Sequence, residues 1–353
     1  MIRFTWLQFR IQALLAACAL TIVAVVLGMT GPTLAHLYDT NIATCDANHD
    51  CATATVAFLK NYSQLQIGLG YLVIVVPALI GIFWGAPLVA REFEAGTYRL
   101  AWTQGVSRAR WLATKLGLVG LAGMAASGLL SLMASWWFAP IDKVNQNQFN
   151  PPVFDERGLA PIGYAAFAFV LGVTAGVLIR LTLPAVGATL VGFVAVRLAL
   201  ILWVFPNLIA PSLASLPVSA NSSLGFGPGP AGITFVADGT MTIPNAWVLS
   251  YQLVDKAGHV ATSTSLHEFL LTACPSIAAG PAVAPTGQQT RRPASQSEFN
   301  DCIAQVGTAY HEAVTYQPAD RYWTFQWYEM TIYLGLAVAL AGLSFWWVRR
   351  RLT

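Results

Sequence analysis

Ionisable side chains are scarce in this chain, with Asp, Glu, Lys and Arg making up only 10% of 353 residues, so the places where they gather are the first places to look for chemistry. The densest is residues 91–115, REFEAGTYRLAWTQGVSRARWLATK. Gly96 and Gly105 punctuate it, and each can end a helix by taking a positive φ just past the last turn. The stretch therefore reads as a helix end, one short helix and a helix start, with Ser107 placed to cap the last. The middle piece, 97–104, is about 12 Å long. Tyr98 and Trp102 share one face of it and Arg99 and Thr103 another. Such a stub either lies among lipid headgroups or serves as a peg for a soluble partner.

A second candidate is a pair of charges inside apolar segments. Arg197 and Glu329 fall at similar depth when each is counted from the same end of its segment at 1.5 Å per residue. They are placed to line a polar path, to lock two helices together, or, for the arginine, to snorkel outward. Other chemistry is poorly represented. No Gly-Lys dipeptide occurs, so the chain has no Walker loop and any nucleotide hydrolysis belongs to another polypeptide. His267-Glu268 and His311-Glu312 begin like a zinc-protease helix, but neither has a second histidine four residues after the first. No Gly-x-Ser-x-Gly elbow is present. These absences argue against an enzyme and give no metal site.

The elements that must position these residues are membrane spans. A chain that is 56% hydrophobic is polytopic rather than soluble. Residues 1–10 mix Phe4, Trp6, Leu7 and Phe9 with Arg3, Gln8 and Arg10, an amphipathic lead-in segment. Residues 11–31 form a first, uncleaved span, long enough at about 20 residues to cross a bilayer. Further spans are expected at 65–90, 116–138, 162–179, 184–205 and 325–348. Polar loops at 32–62 and 140–161 separate some of them, the second carrying Asp142, Lys143, Asp155, Glu156 and Arg157 on the outside. The turn at 180–183 is very short. Residues 206–321 are rich in Gly, Pro, Ser, Thr and Ala and form a loop domain with a few short strands around 234–251. The expected fold is thus an all-α polytopic membrane protein of six helices. Its parts are 1–10, 11–205 with the charged loop 91–115, the loop domain 206–321, and a last helix with basic tail, 322–353.

Basic residues orient the spans. Arg3, Arg10, Arg91, Arg99, Arg108, Arg110, Lys115, Arg180 and the arginines at 349–351 gather on one side, which is then cytoplasmic and holds both termini. Arginines clustered at span ends form no basic face, which excludes nucleic acid as a partner. Cysteine usage agrees with this topology. Cys45 with Cys51 and Cys274 with Cys302 make two local pairs in an oxidising space or four reduced thiols, and Cys18 stands alone in the first span.

The runs 91–97 (REFEAGT) and 102–108 (WTQGVSR), followed by Trp111 and Lys115, resemble the signature of actinobacterial ABC transporter permeases. Similar motifs appear at 82–87 (IFWGAP), at 163–167 (GYAAF), and at Phe325-Gln326-Trp327 with Glu329. The resemblance implies six spans after an amphipathic lead-in helix in a bacterial cell membrane. It implies that Glu92, Glu94, Gly96, Thr97, Tyr98, Trp102 and Arg108 dock into a separate ATP-binding subunit, with the 180–183 turn as a smaller contact. ATP and Mg would belong to that subunit, and a second permease chain would complete the path, most simply as a homodimer. Export of an apolar or amphipathic compound is the expected activity. A sensing permease that moves no cargo and a membrane-anchored extracytoplasmic enzyme are the alternatives.

Overall fold

The computed structural model describes residues 2–45, 51–97, 107–218, 224–229, 232–237, 243–278 and 295–351. The chain forms two compact units, Met1–Phe205 with Asp320–Thr353, and Pro206–Ala319.

The first unit is a helical bundle. Among the described residues, six helices are long and apolar enough to cross a membrane. The first is α1 (Ile2–Asn41). The second is built from α2 (Cys51–Leu79), a π-helical turn (Ile80–Gly85) and α3 (Ala86–Glu94). Next come α4 (Arg108–Asn145), α5 (Ala160–Ile179) and α6 (Thr182–Ala199). The last is α10 (Tyr322–Arg350). Two features differ from the reading of the sequence. The amphipathic residues 2–10 are not a separate lead-in helix but the first turns of α1. The polar loop expected at 32–62 is mostly helix, since α1 runs on through Pro32 and α2 begins at Cys51. A hydropathy window ends a helix where polarity rises, whereas a backbone that satisfies its own hydrogen bonds continues past the hydrocarbon.

Helix α5 is the hub, touching α10, α4, α6, α2 and the π-turn. Its composition explains why. It is a run of Ala, Gly and Phe with almost no polar face, and Tyr164, Ala165, Phe167, Phe169, Val173 and Val177 are all buried. The closest approach is between α5 and the π-turn. A Cβ at Gly172 would lie 2.7 Å from the Ala86 backbone nitrogen, and one at Gly81 would lie 2.6 Å from the Ala168 carbonyl oxygen. The main chains therefore touch without intervening side chains, which is how membrane helices gain dispersion contacts when burial from water offers none. On α4 the glycines differ: a Cβ at Gly123 would lie 2.9 Å from Ile80 Cγ2, whereas Gly117 has open space around it. On α1, by contrast, Ile11, Leu14, Leu15, Ile22 and Met29 are exposed, as a lipid-facing helix requires.

Two buried clusters lie at opposite ends of the bundle. One joins Phe9, Val89, Trp111, Leu112 and Val348, so the beginning of α1 and the end of α10 share an end with the 91–115 loop. The other joins Leu34, Phe58, Leu69, Trp137 and Ile141 near the Cys45–Cys51 bond that ties α1 to α2. There Trp137 Nε1 donates to Thr30 Oγ1 at 2.9 Å, fixing α4 to α1.

The second unit departs from an all-α fold. Strands β1 (Ser212–Pro217), β4 (Trp247–Asp255) and β5 (Tyr310–Gln317) form an antiparallel sheet in the order β1-β5-β4, and β2 (Leu224–Gly229) pairs with β3 (Gly232–Ala237). Helices α7 (Ser263–Ala273), α8 (Pro275–Ala278) and α9 (Gln296–Ala309) supply its apolar core through Leu266, Leu270, Ile277, Ile303 and Val306. Thr262 and Ser295 begin α7 and α9 with reciprocal capping boxes. A bond between Cys274 and Cys302 joins the two helices within this core.

Candidate functional site

The loop 91–115 is held at its base by polar contacts of two carboxylates, Glu92 first. Glu92 is buried where α3 ends, and Lys115, only 1% exposed on α4, forms an ion pair with its Oε1. Trp111 Nε1 donates to Glu92 Oε2 at 3.2 Å, and the Lys115 ammonium also donates to the Leu88 carbonyl at 3.2 Å while standing over the Trp111 ring. Lys115 is therefore not one of the exposed orienting cations counted from the sequence, and Glu92 is buried against it in the bundle. A charge pair surrounded by Trp, Leu and Val is rigid, because breaking it strands an ion in an apolar setting.

Glu94 makes the second contact. Its carboxylate accepts from the Thr182 backbone N–H at 2.8 Å and from Thr182 Oγ1 at 2.6 Å. Those groups open α6, so the carboxylate caps a neighbouring helix and sits against the positive end of its dipole. The two short connections at this end, 91–107 and 180–181, are thereby joined. Beyond Glu94 the chain turns as expected: Ala95 N–H bonds back to Arg91 O, Gly96 takes φ +67°, and Thr97 is exposed. Ser107 Oγ accepts from Arg110 N–H at 3.3 Å and starts α4, where Arg108 is half-buried. Tyr98 and Trp102 lie outside the described residues.

The second site lies inside the bundle at the opposite end. Arg197 and Glu329 do come into one cluster, but not as a direct pair. Arg197 Nη2 meets Asp155 Oδ2 at 2.8 Å, and its guanidinium lies 4.0 Å above the Tyr164 ring. Tyr164 Oη lies within hydrogen-bond distance of both Asp155 Oδ1, at 3.0 Å, and Glu329 Oε1. Tyr333 packs edge-on against Tyr164 and completes the cluster. Asp155 had been read as a solvated loop residue, yet it is buried, because the short 3-10 turn Val153–Glu156 folds into the mouth of the bundle. Sequence gave little sign of this: an isolated arginine in a span demands a counter-ion, but not from a particular loop.

The same turn is bolted in from several sides. Gln326 Oε1 accepts from the N–H groups of Leu159 and Ala160 at 2.8 and 2.9 Å, satisfying the open start of α5, and its Nε2 donates to Phe154 O. Ser131 and Ser127 on α4 donate to the carbonyls of Gly158 and Pro161. Arg157 pairs with Asp142 at 2.6 Å across the Phe138 ring, so these charges too are inside rather than in a solvated loop.

Glu156 is the titratable member of this turn. Burial pushes its carboxyl up to about 7 from an ordinary 4.5, opposed by Arg157 3.8 Å away and reinforced by the negative charge of Asp155. The folded protein thus keeps a proton that the unfolded chain has released, so this group's contribution to stability declines as pH climbs from about 4.5 to about 7. Thermal unfolding of Glu156→Gln across that interval should show a flatter pH dependence than the parent chain; an identical slope would mean that Glu156 is ionised throughout.

Two clefts open between α1 and α2–α3, helices that touch only lightly. One, of about 430 Å³, is bounded by Leu37, Thr40, Asn41 and Phe58; the other, of about 260 Å³, by Phe9, Gln12, Trp84 and Arg91. Both combine apolar walls with a few polar groups.

A model of the family described as ABC-2 membrane transporter related matches residues 17–205, more than half of the chain. No curated protein and no solved structure matches it.

Proposed function

Because the chain belongs to the ABC-2 membrane transporter related family, we propose that it is the membrane-spanning permease subunit of an ABC transporter, driven by ATP hydrolysed on a separate subunit. The observation that carries the coupling part of this reading is the joined base of the two loops. A peg transmits force only if its footing cannot slide. Glu92 with Lys115 fixes the first loop to α4, and Glu94 with Thr182 fixes it to α6. A push on residues 93–107 would then reach α3, α4 and α6 as one movement, which is how a small contact becomes a rigid-body tilt. Glu92 acts as a brace and Glu94 as the tie between loops, while Gly96, Thr97, Tyr98, Trp102 and Arg108 belong to the docking surface itself.

Two such chains, as a homodimer in the bacterial cell membrane, would enclose the path, with the arginine-rich end cytoplasmic and the Pro206–Ala319 unit outside. The mixed walls of the α1–α2 clefts suit an amphipathic cargo, moved outward by alternating access in which the ligand has unequal affinity for the two arrangements. The compact second unit favours one other reading, a permease that senses outside ligands and moves no cargo.

The test begins with co-purification of the chain with an ATP-hydrolysing polypeptide. In the reconstituted complex, Thr182→Val should leave assembly and ATP binding intact but lower the cargo moved per ATP, since it removes the hydroxyl half of the tie between loops and keeps the backbone half. Failure to recover any ATPase would remove the motor assignment. Recovery of an ATPase without movement of any amphipathic tracer into vesicles would select the sensing reading.

A further inference from the structure

The hydroxyl of Tyr164 is shared between two carboxyl groups, and the number of protons available is too small for both to be ionised. A phenol has one hydrogen to donate. Its oxygen lies within hydrogen-bond distance of both Asp155 Oδ1 and Glu329 Oε1. If both were carboxylates, one would face the lone pairs of the phenol oxygen with no hydrogen between them, at full desolvation cost. One of the two must hold a proton and donate it to Tyr164 Oη.

The surroundings decide which. Asp155 has the Arg197 guanidinium at 2.8 Å, a direct counter-ion. Glu329 is 2% exposed and has no ion pair within 4 Å among the described residues. The groups that face it are Tyr164 and Arg197 from α5 and α6, Asp155 from the 3-10 turn, and Tyr333 one turn along α10. With Asp155 ionised, Arg197 charged and Glu329 neutral, the cluster sums to zero, as an apolar interior demands. A further observation shows that the cluster is not closed on itself. The Arg197 guanidinium also reaches Tyr333, the ring packed on Tyr164, so it has a donor not committed to Asp155 and capacity remains for a different proton arrangement.

We propose that Glu329 is a proton-binding site in the interior of the bundle, and that Tyr164 relays its proton to Asp155 at the mouth. In the relay the Glu329 O–H bond breaks as a new O–H forms on Tyr164 Oη, while the original phenolic hydrogen passes to Asp155 Oδ1. The products are a Glu329 carboxylate, an unchanged neutral tyrosine and an Asp155 carboxylic acid. No electron is transferred and the net charge of the cluster is constant. Asp155 then no longer needs Arg197, which is free to turn towards Glu329. Proton position thus selects which helix the arginine holds, α10 through Glu329 or the connection between α4 and α5 through Asp155. This site is independent of what the permease carries.

Infrared spectroscopy of the full-length chain in lipid bilayers reads the proton directly. At neutral pH the parent protein should show the carbonyl stretch of protonated carboxylic acid, to which Glu156 also contributes; the band should lose intensity in Glu329→Gln, and Glu156→Gln alone should leave part of it that disappears only when Glu329→Gln is added. Glutamine has the shape of the neutral acid and keeps a donor towards Tyr164, so the variant is expected to fold and to unfold at the parent temperature. Tyr164→Phe retains the ring packed on Arg197 and Tyr333 and removes the relay; deuterium should then enter the Glu329 carboxyl at least tenfold more slowly after transfer to heavy water. An unchanged acid band in Glu329→Gln, or a glutamine variant that no longer folds, would overturn the proton-binding site. Exchange at the parent rate in Tyr164→Phe would overturn the relay.

Discussion

Replacing Glu92 by alanine is expected to cost about 3–5 kcal/mol of stability, the range seen when one partner of a buried ion pair is removed. The variant leaves the Lys115 ammonium, 1% exposed, with a single carbonyl and the face of an indole for company. It also removes the acceptor of Trp111 Nε1. Lys115→Met should be milder, because Glu92 sits nearer the surface and retains the tryptophan donor. The double variant Glu92→Leu with Lys115→Met should recover most of the loss, since an apolar pair of similar volume often replaces a buried ion pair without penalty. Unfolding midpoints of the four proteins in detergent measure this cycle. Equal midpoints for Glu92→Ala and the parent would show that the pair is not closed in solution. If the coupling reading holds, the double variant also separates stability from transmission: it should fold like the parent yet move less cargo per ATP.

The second large effect is expected at Gly172. Alanine there would place its methyl 2.7 Å from the Ala86 nitrogen and against the Gly81 carbonyl oxygen, both main-chain atoms that cannot rotate away. Forcing one methyl into such a contact costs about 1–3 kcal/mol. Leucine would prise α5 away from the π-turn altogether, and because α5 is the hub of the bundle, little folded protein should remain by size-exclusion chromatography. Gly117→Ala, which meets open space, serves as the control and should stay within about 0.5 kcal/mol of the parent. If Gly172→Leu elutes and unfolds like the parent, the close approach of these backbones is not a feature of the folded bundle.

Both results concern residues that a pass along the sequence treats unequally. Lys115 looked like an orienting cation at a span end, and only the α3–α4 packing turns it inward. Gly172 lies in a span whose hydropathy is unremarkable for its class, while the glycine-rich third span carried the more visible pattern. In each case the decisive quantity is a distance between two helices, and hydropathy reports only one helix against its surroundings.

The motifs that first suggested a family resemblance show the same division. Tyr164, Gln326 and Glu329 were visible as separate short motifs far apart in the chain. In space they converge on the 3-10 turn Val153–Glu156: Gln326 holds the start of α5, and Tyr164 bridges Glu329 to Asp155. Asp155 itself was missed because a carboxylate in a polar loop looks solvated unless its counter-ion is known, and the counter-ion lies on α6.

The sequence by itself determined the class, the helices long and apolar enough to cross a membrane, the break at Gly96 and the cap at Ser107. Those properties depend on local composition and backbone preference, which act over one turn or one bilayer thickness. Tertiary structure alone decided which charges face inward, that Arg197 pairs with Asp155 and not with Glu329, and that Glu94 bonds to Thr182 across two loops. Such pairings depend on which side chains meet in a medium where an unpaired charge is costly, and that is set by helix packing rather than by any stretch of chain read alone.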